Sequence, residues 1–114
     1  MSITPLSPHK VVYIQSDQIL ITQEQDILDL IGETEFQDIV LHDHNFRPDF
    51  FDLSTQLLGN VLQKLTNYQV RLAVIGDFGS YPSKILPGFI HESNRRKNSL
   101  FVSSLEEVKK IWEI

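Results

Sequence analysis

The chain has 114 residues, 41% hydrophobic and 22% charged, a composition that suits one globular domain with a real core and excludes a disordered polymer. Its longest apolar runs, such as Leu72–Ile75, are far too short to span a bilayer, and the start lacks the basic and apolar segments of a signal peptide. No cysteine and a net charge of −5 remove disulfides, thiol nucleophiles and thiolate metal sites, and argue against a nucleic-acid partner.

A cytoplasmic protein without membrane or nucleic-acid contacts is therefore the expectation. Residues 1–8, carrying Pro5 and Pro8, are expected to be a flexible, frayed N-terminus, and residues 9–114 a single domain without repeats or linkers. Lys10 to Ile14 reads as a first strand, rich in β-branched and aromatic residues. Gln15–Gln18 is turn-like, and Ile19–Ile21 reads as a short second strand, antiparallel to the first. Thr22 with Gln25 forms a capping box that starts a helix, whose buried stripe is Ile27, Leu28, Leu30 and Ile31. Gly32 suits its C-terminal cap.

Asp38–Leu41 is the third strand. A helix follows in which Leu53, Leu57, Leu58, Val61, Leu62 and Leu65 recur at helical spacing. Val70 to Ile75 is almost unbroken apolar, as in a parallel strand covered on both faces. The next helix carries Ile85, Leu86, Phe89 and Ile90 on one side, with Pro87 kinking it or delaying its start. Ser99–Val102 is the last strand, and Ser103 with Glu106 caps a final helix with an inner face of Leu105, Val108, Ile111 and Trp112. The order is β-β-α-β-α-β-α-β-α. It predicts an α/β fold with a mixed, mostly parallel sheet of about five strands and about four helices.

This order resembles the STAS domain, the sulphate-transporter and anti-sigma-factor-antagonist fold. STAS domains place a phosphorylatable Ser or Thr at the start of the helix after the third strand, within an Asp-Ser-Ser/Thr-Gly signature. The matching stretch here is Asp52-Leu53-Ser54-Thr55. Asp52 matches, Leu53 stands at the acceptor position and the glycine is missing, so the resemblance implies Ser54 as phosphoacceptor if the register slips by one. The phrases Asp49–Thr55, Leu62–Lys64, Leu72–Phe78 and Ile90–Asn94 resemble the bacterial family called domain of unknown function 4180, a likeness that brings no activity with it.

Loops leaving the carboxyl ends of parallel strands form the ligand or partner surface of an open α/β sheet. Loops 45–55 and 76–83 are therefore the expected working end, with Phe46, Asp49, Phe50, Asp52, Ser54, Asp77 and Phe78 as its residues. Asp52 or Ser54 either caps the second helix or makes its N-terminus an anion-binding, phosphorylatable site. Phe46, Phe50 and Phe51 cannot all follow one strand face, so part of this cluster is expected to be exposed as a protein interface. His42 and His44 alternate onto one face and are candidate metal ligands, but no further ligand motif accompanies them, and no metal or cofactor is implied.

Gly76-Asp77-Phe78-Gly79 is a strand-to-helix turn, since the chain has no Gly-rich or catalytic loop of a kinase. No Walker A loop, nucleophile elbow or dinucleotide fingerprint occurs, so no catalytic residue is assigned. The leading expectation is a non-catalytic, regulatory module that binds a protein partner. The alternative is a small-ligand protein or enzyme using carboxylates and histidines at the same loops. Homodimer formation through helices or sheet edges is a third expectation.

Overall fold

The computed structural model describes residues 1–7 and 10–114. The expected boundary between residues 8 and 9 lies outside the described residues. The chain forms a five-stranded sheet in the order β1 (Ser2–Ser7), β2 (Val11–Gln15), β3 (Asp38–His42), β4 (Leu72–Ile75), β5 (Ser99–Val102). β1 is antiparallel to β2, and all later neighbours are parallel. Four helices alternate with the strands: α1 (Glu24–Thr34), α2 (Leu57–Asn67), α3 (Leu86–Arg96) and α4 (Leu105–Trp112). The mixed, mostly parallel α/β sheet and the order of elements agree with the pattern in the sequence.

The first two strands are displaced from expectation. Ser2–Ser7 forms a strand rather than a frayed end, registering Ile3 against Ile14 and Thr4 against Tyr13. Ile19–Ile21 is not a strand. It makes one isolated parallel bridge, Ile21 to Phe46, while Leu20 and Ile21 both donate their N–H groups to the Asn45 carbonyl. The β-branched and aromatic residues at 10–14 identify a strand correctly but cannot say on which side its hairpin partner lies.

Alternate strand residues divide the core into two layers. Val12, Ile14, Ile39, Leu41, Leu72, Val74 and Phe101 face Ile27 of α1, Leu58, Val61 and Leu65 of α2, and Leu86 of α3. Val11, Val40, Ala73, Ile75, Leu100 and Val102 face Val108 and Trp112 of α4. Crossovers between successive neighbours put three helices on one face, as the usual right-handed connection of parallel strands requires, and α4 alone covers the other. At the amino ends of the strands the buried Asp38 carboxylate pairs with Arg71 at 2.9 Å, and the guanidinium lies 4.4 Å from the Trp112 ring.

Helix ends differ from the predicted caps by one to four residues. Asp26, rather than Gln25, accepts the N–H groups of Thr22 and Gln23 at the start of α1. α1 runs past Gly32 to Thr34 and is capped by Glu35, whose φ is 61°. Ser104, not Ser103, caps α4, while Ser103 donates to Glu107. Pro87 falls in the first turn of α3, where its missing donor costs nothing, and Ile85 just before it is exposed.

Candidate functional site

The carboxyl ends of β2 to β5 all open on one side, so the loops that follow them share one end of the molecule. Loop 43–56 leaves β3, and loop 76–85 leaves β4. Aromatic rings join the two. Phe51 lies 5.5 Å from Phe78 and 5.1 Å from Tyr81, centroid to centroid, and Phe78 lies 5.6 Å from Phe101 of β5.

This packing overturns the exposed phenylalanine interface. Phe46, Phe50 and Phe51 are 2%, 0% and 3% exposed, and Phe46 and Phe50 pack at 4.4 Å. Successive turns, with Phe50 N–H donating to the Arg47 carbonyl and Asp52 N–H to that of Asp49, point all three rings inward. They fill the space between the sheet and the start of α2. Asp49 is paired with Arg47, and Phe78 remains half-buried at the surface.

The second helix starts later than its apolar repeat suggests. Leu53–Thr55 is a separate 3-10 turn, and Gln56, with φ 64°, breaks the path before α2. Asp52 therefore caps this short turn, not α2, accepting from Ser54 N–H at 3.0 Å and from the Ser54 hydroxyl at 2.6 Å. Those bonds, the hydroxyl's first, hold the Asp52 carboxyl below its usual range. Ser54 is exposed, and Thr55 Oγ1 accepts from Leu57 N–H at the true start of α2. The expected meeting of Ser54 with the N-terminus of α2 does not occur.

At the end of β3, His42 Nε2 lies 2.7 Å from the Tyr13 hydroxyl, and its ring stacks on His44 at 5.3 Å. Burial, with the neighbouring His44, pushes the His42 imidazole down, against a smaller opposing pull from Asp43. His44 Nε2 lies 2.8 Å from the Ser16 carbonyl oxygen. Both Nε2 atoms thus have protein partners, and among the described residues no group of three His, Asp or Glu converges as a metal site.

Three residues that the sequence reading passed over organise this end. Asn45 is fully buried: its Nδ2 donates to the carbonyls of Ser16 and Gln18, and its Oδ1 accepts the His42 N–H. Asp43 sits over Gly76, where an added Cβ would come within 2.5 Å of the carboxylate carbon. Tyr81 donates its hydroxyl to Asp43 Oδ2 at 2.8 Å, and burial followed by this carboxylate raises the Tyr81 phenol strongly. An asparagine, an aspartate and a tyrosine in loops carry no periodic signal; Gly76 was the one visible hint.

Between loop 76–79 and the start of α4 lies an open groove of about 430 Å³, floored by Phe78, Phe101 and Val102 and flanked by Asp77 and Glu107. A larger groove, about 540 Å³, runs between α2 and α3 past Leu62 and Phe89, away from the predicted loops. The model of one family, described as a domain of unknown function (DUF4180), matches residues 6–111. The chain belongs to this family. The match covers all five strands and four helices apart from the first residues of β1 and the last of α4, so the carboxyl-end groove lies wholly within the family's extent. No curated protein and no solved structure matches the chain significantly. Among the described residues, no helix is long and apolar enough to cross a membrane.

Proposed function

We propose that this domain is a small, STAS-like, non-catalytic module that binds a basic protein segment at the carboxyl end of its sheet. One observation carries the reading: charge is segregated by fold. Segments 16–26, 43–56, 76–85 and 103–107, which leave the strands on this side, hold nine carboxylates against two cations. That local net of −7 exceeds the −5 of the whole chain, so the rest of the molecule is net positive. A pole of one sign steers an oppositely charged partner and fixes its orientation.

The groove within that pole suits such a partner. Its floor is apolar, two phenylalanines and a valine, while Asp77 and Glu107 stand at its sides. A lysine or arginine can lay its aliphatic stem on the floor and keep its charge beside the carboxylates. The groove is open rather than a closed pocket, which favours a protein segment over a small substrate. Asp49, Asp52 and the exposed Ser54 lie on the adjoining loop and extend the same surface; phosphate on Ser54 would deepen the negative pole by about −1.5 to −2 charges.

The test is capture from the native host with wild type and with an Asp77→Lys, Glu107→Lys double variant. The expected result is a basic protein held by wild type in a salt-dependent way and lost by the variant. An identical set of captured proteins would overturn the reading.

A further inference from the structure

A sheet of five strands has two edges, each a row of unpaired backbone groups that invites another strand. This protein treats its edges differently. At β5 the free edge is closed from within: Asn94 of α3 donates Nδ2 to the Phe101 carbonyl at 3.0 Å and accepts the Phe101 N–H at 2.7 Å. Ser93 donates its hydroxyl to the Ser99 carbonyl at 2.7 Å. These side chains imitate a neighbouring strand, so β5 has little left to offer.

β1 has no such cover. Among the described residues no side chain hydrogen-bonds to its free edge, and Ser2–Pro5 is exposed throughout. Its blunting devices, Pro5 and a bulge between Pro5 and Ser7, come only after Thr4. Ser2-Ile3-Thr4 is left open. We propose that this edge pairs with β1 of a second copy of the chain, antiparallel about a two-fold axis at Ile3.

The charge pattern selects a second copy. On a two-fold axis a residue meets its own counterpart, and its neighbours meet residues of the same short segment, so a charge on the axis repels itself. Met1–Pro8 carries no charged side chain, in a chain where 22% of residues are charged. The apolar residues agree. Ile3, 47% exposed, shares the face of its register partner Ile14, and about the axis it meets the other Ile3 as a β-branched cross-strand pair. Thr4 then lies opposite Ser2 of the other copy. Pairing joins two five-stranded sheets into one continuous ten-stranded sheet and leaves both carboxyl-end grooves open.

Sedimentation equilibrium of the full chain tests this. Wild type should show twice the 13.2 kDa chain mass at high concentration and dissociate on dilution. Ile3→Lys and Ile3→Glu should each be monomeric with unchanged circular dichroism, because this side chain is half-exposed. Mixed in equal amounts, the two variants should again give the dimer mass, since opposite charges now face each other across the axis. A wild type that stays monomeric, a dimer that survives Ile3→Lys, a mixture that fails to associate, or a variant that unfolds would each overturn the proposal.

Discussion

Asn45 shows how one buried polar side chain can hold a loop. Its amide gives two hydrogen bonds to the 16–18 loop and takes one from the β3 backbone, and its own carbonyl takes two more from Leu20 and Ile21. Asn45→Asp keeps the shape but turns a carboxylate oxygen toward two carbonyls. It should lower stability by at least about 2 kcal/mol, the scale of a buried group left unpaired, read as a shifted urea midpoint. His42 next door gives the pH dependence. Its imidazole titrates lower in the folded chain than in the unfolded chain, so the unfolded chain binds more protons across that interval. Stability from this group is full above the ordinary histidine value of about 6.5 and declines as the pH falls through the folded value. Thermal midpoints measured downward from neutrality should fall in wild type and fall less in His42→Gln. Equal slopes would remove His42 as the cause.

The elements were more legible than the contacts between them. The apolar repeat from Leu57 to Leu65 and the apolar run at Leu72–Ile75 announce α2 and β4, because burial must follow the period of the backbone, and Leu58 and Val74 are fully buried. The 3-10 turn before α2 was not legible, since Leu53 continues the apolar spacing and the break comes from Gln56 adopting φ 64°. The pairing of β1 was hidden by prolines that normally mark irregular chain. Of the candidate site, the loops were legible from topology, whereas the inward turn of three phenylalanines depends on tertiary space that no local pattern encodes. Two substitutions probe the elements. Gly76→Ala would force Asp43 aside, breaking its bond from Tyr81, and should cost about 1–3 kcal/mol with a lower tyrosine titration in ultraviolet absorbance. Asn94→Ala uncovers the β5 edge, so the Phe101 amide should exchange with solvent faster and the protein should aggregate more readily on heating. Unchanged exchange at Phe101 would show that α3 does not close that edge.

At the scale of the molecule, charge follows the direction of the strands. Some carboxylates at the acidic pole compensate helix dipoles: Glu24 and Asp26 stand in the first turn of α1, Glu106 and Glu107 in that of α4. Asp77 has no such compensation. It is exposed, its carboxylate takes no hydrogen bond among the described residues, and its charge adds to the pressure that raises Tyr81. A carboxylate placed there among like charges is repelled by them. Asp77→Asn should therefore stabilise the domain by a few tenths of a kcal/mol, the usual size of exposed charge effects, with a higher thermal midpoint at low salt. The origin of that gain is long-range repulsion, so it should shrink once the Debye length falls from about 30 Å at 0.01 M salt to about 3 Å at 1 M. A gain that persists in molar salt would point to a local contact of the new amide instead. No gain at low salt would mean that the pole is balanced by its helix ends, and that Asp77 sits there without strain.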